Sequence, residues 1–277
     1  MMTAAAAQTQ YRQEFVSGFE QRTSLLRQSV TREAMIKGNQ ATFLVADSGQ
    51  ATAQTRGSNG KIPSRSDNLS QPTATLVEKH DLVQRTGFDI FGSQGDGRRI
   101  MQETSMAVVN RDIDQSILAE LGTATQDTGS ATTASLALAL KAKTILGNNE
   151  VPFDNNISAV ITPAFHAYLM QVDEFASADF VNNKPFSSDQ QMFRWMGVNW
   201  IVHPNLAGKG TNAEVCFMYH ANAIGHAANV DGMECEVGYN GEQQYSWARC
   251  SIFMGAKLLQ NAGVVVINHD GSAYAAS

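Results

Sequence analysis

DGRRIMQETSMAVVNRDIDQSILAELG, residues 96–122, is the longest uninterrupted helical pattern in the chain. Met106, Val109, Ile113 and Ile117 recur at three- and four-residue steps, flanked by Ile100, Met101, Leu118 and Leu121, which is the period of one helix face packed on a layer. The other faces are charged. Asp96 is placed to cap the start, and Gly122 to end the helix in a left-handed conformation. A helix of about 25 residues is roughly 38 Å long, long for a domain of this size, so an extended structure is expected beside it.

Upstream, Tyr11, Phe15, Phe19, Leu25 and Leu26 are spaced as for an amphipathic helix over Tyr11–Val30, interleaved with Arg12, Glu14, Glu20, Arg22 and Arg27. This helix reads either as a frayed terminal helix on its own domain or as an arm reaching another subunit. After the apolar run Ala41–Ala46, DSGQATAQTRGSNGKIPSRSDNLSQPT (47–73) is nearly devoid of large apolar residues and cannot build a core. It is too long for an ordinary connection, and Gly57, Gly60 and Pro63 place turns near its middle. The expected shape is a two-armed flap whose return strand re-enters the interior at Ala74, Leu76, Leu82 and Val83. GSNGKIPS within it lacks the hydroxyl that a phosphate-binding loop needs after Lys61.

Downstream, Ser130–Leu146 reads as a second helix with Ala131, Ala134, Leu138, Ala142 and Ile145 on one face and Gly147 as its stop. Ile157–Thr162 reads as a buried strand, and Pro163 opens a short helix. Strand signals then dominate: Gly197–Pro204, Val215–Tyr219, Met233–Tyr239, Ser246–Lys257 and Gly263–His269. In SWARCSIFMGAK, Trp247, Arg249, Ser251 and Phe253 point one way and Ala248, Cys250, Ile252, Met254 and Ala256 the other. Helices early and strands late, without steady alternation, make the fold class α+β.

The 277 residues carry a formal net charge of −6, which opposes the basic footprint of a nucleic-acid binder. Arg98-Arg99 is the nearest approach to a basic cluster. Eighteen consecutive apolar residues occur nowhere, and MMTAAAAQTQYRQEF lacks the layout of a signal peptide, so the chain is expected to stay where it is made, with no membrane partner. Cys216, Cys235 and Cys250 cannot all pair within one chain, which favours reduced thiols in a cytosol and no disulfide. For an enzyme, the candidate constellation is Cys216, His220, His226 and Cys235, whose C-x3-H-x5-H-x8-C spacing does not match the paired-ligand zinc modules. Asp112 and Asp114 point in different directions from one helix, and His80 and His203 lack a nucleophile motif. No catalytic, cofactor or metal residue is assigned.

An N-terminal arm, a long polar flap, a long solitary helix, a mixed lobe and long closing strands form an order that resembles the HK97-like major capsid proteins of tailed bacteriophages. The flap from Ala46 to Leu76 resembles the E-loop, the helix from Asp96 to Gly122 the spine helix, and MECEVGYNGEQQYSWARCSIFMGAKLLQNAGVVVINHD the closing strands. TGFDIFGSQGDGRRIMQETSMAVVNRDIDQ is particularly similar to coat proteins with this short-format subunit. The resemblance implies an arm and first peripheral-domain run over 1–45, an E-loop over 46–76, a peripheral domain over 77–128 with its spine helix at 96–122, an axial domain over 129–229, and closing strands over 230–277. It implies a shell subunit, not an enzyme, forming hexamers and pentamers around packaged double-stranded DNA that it meets only by non-specific proximity. Virion capsid is the implied location, with assembly in the bacterial host cytoplasm. Expected partners are other copies of the chain, a scaffolding protein, a portal and a decoration protein. Tyr11, Phe15, Phe19, Arg56, Lys61, Arg65, Asp67, Arg98, Arg99 and Arg111 are the candidate intersubunit contacts. Lys61 is the single lysine of the flap, but no partner for a covalent crosslink is identifiable. The alternatives are an encapsulin-like compartment shell, or a cytosolic metal-dependent enzyme using the Cys/His quartet.

Ile113→Asp is expected to abolish soluble subunits, because it buries an unpaired charge, whereas Arg111→Glu should leave folding intact and impair assembly. Solubility with circular dichroism reads the first and electron microscopy of particles the second. Equal effects on folding would make the helix an ordinary core element.

Overall fold

The computed structural model describes residues 21–32, 34–92, 97–176, 191–229 and 233–274. In chain order its strands and α-helices are β1 (Met35–Lys37), β2 (Gln40–Thr42), β3 (Val45–Asp47), β4 (Asn68–Ser70), β5 (Thr73–Thr75), β6 (Val77–Thr86), α1 (Gly87–Gly92), α2 (Gly97–Leu121), α3 (Leu136–Asn148), β7 (Ile157–Ile161), α4 (Pro163–Leu169), α5 (Asp173–Ala176), β8 (Met192–Trp195), β9 (Val198–Val202), β10 (Glu214–His220), β11 (Ile224–Ala228), β12 (Glu234–Asn240), β13 (Tyr245–Leu258) and β14 (Val264–His269). They fall into two compact units. One holds Val77–Asp114, Ala228–Met254 and the N-terminal residues through Ser24; the other holds Leu25–Leu76, Gln115–Ala227 and Gly255–Ser277. The chain therefore changes unit inside α2 and inside β13.

In the first unit, β13 is flanked by β6 along one edge and by β12 along the other, all antiparallel. Side chains of a strand alternate between faces, and here Ser246, Ala248, Cys250, Ile252 and Met254 are buried while Arg249 and Phe253 are exposed. The alternation read from the sequence is thus present over this span. The inner face of β6 carries Asp81, which accepts a hydrogen bond from the hydroxyl of buried Ser105 on α2. Lys79 and Asp112 add an ion pair at 3.3 Å. These contacts set α2 against the inner face of the sheet.

Along α2 one ridge of buried residues steps by four, from Met101 through Ser105, Val109, Ile113 and Ile117 to Leu121, with Ile100, Ala107, Asp114 and Leu118 buried beside it. Five such steps at 100° per residue turn the ridge by roughly 200° around the helix, so one flat layer does not cover its whole length. Met106 lies beside this ridge and is half-buried. Asp114, also fully buried, accepts from Ser24 Oγ at 2.5 Å and from the Gln21 amide, while the Asn110 amide donates to the Arg22 carbonyl at 2.8 Å. These bonds fasten residues 21–24 to the helix. Gly122 does not take a left-handed conformation. The end is closed instead by the N–H groups of Gly122, Thr123 and Ala124, which donate to Leu118, Glu120 and Leu121. The Asp96 cap lies outside the described residues.

In the second unit a five-stranded sheet runs β14-β10-β7-β9-β8, antiparallel except for β7 with β9. β7 is buried at every position, and α3 packs on β10 and β14. α3 starts at Leu136, not at 130, because the Ser135 side chain caps Leu138 N–H and Thr132 is held in a bridge with His269. Its buried residues are Leu138, Ala139, Ala142 and Leu146; Gly147 lies inside the helix, and Asn149 ends it. The expected helix over Tyr11–Val30 is also corrected where it is described. Residues 21–30 are irregular, with bends and one turn at 27–28, since Thr31 N–H donates to the Ala221 and Ile224 carbonyls and Ser29 Oγ bonds Tyr219 Oη at 2.5 Å. Tertiary partners outbid local helical bonds there. A smaller sheet, β1-β2-β5, packs Ala41 and Ala74 with Phe43 and Ala227, and a Cβ on Gly225 would lie 2.5 Å from the Phe43 ring.

The polar centre of this unit is Glu214, only 1% exposed. Its carboxylate accepts from Thr162 Oγ1 at 2.5 Å, Gly210 N–H at 2.6 Å and His269 Nδ1 at 2.7 Å. Glu214 and His269 are paired residues on β10 and β14, so the cluster pins the register of those strands. Removing the carboxylate leaves three donors without that acceptor, two of them, Thr162 and His269, fully buried. Glu214→Ala is therefore expected to cost about 3 kcal/mol of subunit stability, read by chemical denaturation. A loss under about 1 kcal/mol would show the cluster to be incidental to stability.

Candidate functional site

Every residue from Ala46 to Gln71 is exposed. Within this excursion β3 and β4 pair as a two-stranded ribbon, Val45 with Ser70 and Asp47 with Asn68, rooted on the β2–β5 pair. A lone two-stranded ribbon is marginally stable in water, so local devices hold its shape. Arg65 donates to the Ser48 carbonyl at 2.8 Å and forms an ion pair with Asp67. At the tip, Gly60 N–H donates to the Gly57 carbonyl at 2.9 Å, Arg56 donates to the Gly60 carbonyl at 3.0 Å, and Gly60 has φ +72°, a left-handed value that glycine accepts without strain. Lys61 Nζ has no hydrogen bond or ion pair among the described residues. Leu44, Ile62 and Leu69 are about two-thirds exposed, apolar surface that the subunit itself leaves uncovered.

Of the other candidate contacts, Arg99 makes a surface pair with Glu103 at 3.5 Å, and Arg111 is half-buried beside the Asp112–Lys79 pair. Such exposed pairs are worth about 0–1 kcal/mol. Tyr11, Phe15, Phe19 and the Arg98 side chain lie outside the described residues. Sequence reasoning missed Glu214 and His269, and set Asp114 aside because it points away from Asp112 on one helix; nothing local to DID (residues 112–114) announces that Ser24 and Gln21 will reach it.

The Cys/His quartet does not assemble. Cys216 is fully buried beside Thr162 Oγ1 at 4.0 Å, and His220 Nε2 lies 3.0 Å from Asp154. Cys235 is covalently bonded to Cys250, which corrects the expectation of three reduced thiols and takes a thiolate ligand away from the zinc reading. Register decides this pairing: β12 and β13 place the two cysteines directly opposite each other, with Cα atoms 4.2 Å apart, the spacing of a non-hydrogen-bonded pair. Closing a loop of 15 residues this way is worth about 3 kcal/mol in the chain-entropy account. Among the described residues no group of three or more His, Cys, Asp or Glu is arranged to hold a metal ion.

Burial pushes the Cys216 thiol up to about 12, so at neutral pH it carries no nucleophilic thiolate. Asp154 moves the other way, to about 2, chiefly because the Asn156 side chain and N–H donate to it. The stability it lends is present above its unfolded value near 3.8 and is lost as the pH falls through about 2. A cleft of about 470 Å³ beside β8 and β9 is lined by apolar and neutral polar side chains with Arg194 as its one charge, and it offers no acid–base pair. No described helix is long and apolar enough to cross a membrane.

A subunit that exposes a whole ribbon and concentrates its polar chemistry in register-pinning clusters is built for contacts between chains. The family model for phage capsid protein matches residues 3–271, and the chain belongs to that family. Among solved structures it is similar to that titled Mycobacterium phage Che8, with TM-score 0.74 and 17% identity over 93% of this chain and 95% of that one. It is similar also to the capsid structure of cyanophage P-SCSP1u, with TM-score 0.71 and 12% identity over 92% and 90%, and to the capsid of a native GTA particle, with TM-score 0.68 and 14% identity over 97% and 99%. No curated protein matches the chain. The fold is the HK97-like capsid fold, and the chain is a structural major capsid protein of the virion shell.

Cys216 is expected to resist alkylation by iodoacetamide at pH 8 in the folded subunit and to react once guanidinium unfolds it, as read by intact mass. Rapid labelling of the folded chain at Cys216 would contradict its burial.

Proposed function

We propose that the chain assembles, through its flap and N-terminal arm, into an icosahedral shell of hexamers and pentamers that encloses double-stranded phage DNA. The observation that carries this reading is the ribbon Ala46–Gln71, exposed throughout, with Leu44, Ile62 and Leu69 presenting apolar surface beside Arg56, Lys61 and Arg65. Laid over a neighbouring copy, those side chains lose water together, and desolvated anchors contribute far more than surface pairs. Tyr11, Phe15 and Phe19 supply the corresponding apolar contacts of the arm, and Arg98, Arg99 and Arg111 are further contacts with other copies along α2.

The domain division implied by the family follows: arm and first run 1–45, E-loop 46–76, peripheral domain 77–128, axial domain 129–229, closing strands 230–277. Assembly takes place in the host cytoplasm with a scaffolding protein and a portal, and a decoration protein is a further partner. The chain has no enzymatic role and meets DNA by proximity; a net charge of −6 suits a shell in which packaged duplex must slide.

Electron microscopy of the purified assembly tests the reading: capsomers or closed shells are expected, and a monomer that forms neither overturns it. A Lys61→Glu/Arg65→Glu variant should fold as the parent does, by circular dichroism, and lose at least about tenfold in particle yield, the equivalent of about 1.4 kcal/mol for the two substitutions together. Mature particles should run as single chains on denaturing gels, and a ladder of multimers would show that Lys61 is crosslinked after all.

A further inference from the structure

β12 is an edge strand whose one neighbour among the described strands is β13. Its register is fixed without covalent help. The ladder runs from Glu234 opposite Ser251 to Asn240 opposite Tyr245, and Arg249 pairs with Glu236 at 2.8 Å on the outer face. Cys235 and Cys250 meet on the inner face of that same ladder, so non-covalent pairing alone brings their thiols together. The bond is added to a strand pair that already exists. Chemistry and compartment then disagree: a chain made in a bacterial cytoplasm is kept reduced by the thiol pool, whereas a released virion sits in an oxidising medium where disulfides persist.

We propose that Cys235–Cys250 is a late redox staple, open while the chain folds and assembles and closed after the particle leaves the cell, so that it ties the edge strand to the closing strand of the finished shell. Cys235 is half-buried and open to a small oxidant, whereas Cys250 is fully buried. This makes Cys235 the entry point. Its thiolate attacks one sulfur of a small-molecule disulfide, forming a mixed disulfide and expelling one thiol. The Cys250 thiolate then attacks the Cys235 sulfur and expels the second. Two protein thiols and one external disulfide become one protein disulfide and two external thiols, with the protein oxidised by two electrons and the reagent reduced by two. The reaction is reversible by excess dithiothreitol, and breaking the bond returns β12 to a ladder held by hydrogen bonds and one exposed ion pair. This inference rests on the shell reading above, because the change of compartment is that of a virion.

The test labels thiols with N-ethylmaleimide under native conditions, once in intact cells before lysis and once in released particles, and weighs the chain after denaturation without reductant. The intracellular chain should carry label at Cys235, and the released chain should carry none there and be two hydrogens lighter than the fully reduced mass. Released particles should lose about 5–10 °C of thermal stability in dithiothreitol. A Cys235→Ser/Cys250→Ser variant should assemble normally, start from the lower temperature and show no response to reductant. Free Cys235 in released particles, or a complete bond already present inside cells, overturns the staple, as does wild-type stability that ignores reductant. Electron microscopy of the same samples shows whether shells form at all, so a sample without shells overturns the shell reading and not the redox chemistry.

Discussion

A strand of 14 residues such as β13 carries hydrogen-bonding groups along both edges, and each must find a partner once water is excluded. β6 satisfies one edge over ten residues, and β12, followed by β11, satisfies the other. Those partners come from places far apart in the chain, residues 77–86 and 224–240. The ladder therefore fixes which segments are neighbours before any side chain is considered. Everything on the inner face follows from it: Ala248, Cys250 and Ile252 form the floor, Asp81 is aimed at Ser105, and α2 is held against the sheet.

The two buried carboxylates serve the same end by different routes. Asp114 takes two donors from residues 21–24 and fixes where the N-terminal segment leaves the helix. Glu214 takes three donors and fixes β14 on β10. In both cases a buried charge is tolerated because its lone pairs are used, and in both the cost of removing the acceptor exceeds what forming any single bond contributes.

The flap is built on different rules. Ala46–Gln71 has no core, one short ribbon and a tip held by the Gly57–Gly60 turn and Arg56. Its two large apolar residues, Ile62 and Leu69, are both exposed.

Local periodicity determined what could be read from the sequence alone. The 3.6-residue pattern of α2, the alternation along β13 and the apolar poverty of residues 47–73 each reside in contiguous residues, and the corresponding helix, strand and exposed excursion are present. Tertiary structure decided whatever depended on distant partners. Residues 21–30 are not helical because their bonds run to distant partners, Gln21 and Ser24 to Asp114 and Ser29 to Tyr219. α3 begins late because His269 holds Thr132. Ser105, not Met106, sits on the buried ridge of α2 because Asp81 lies opposite it. Cys235 finds Cys250 because strand register, not spacing in the chain, sets which thiols meet. A pattern confined to one segment can state its own period, but the identity of its partner is a property of the ladder that joins it to another.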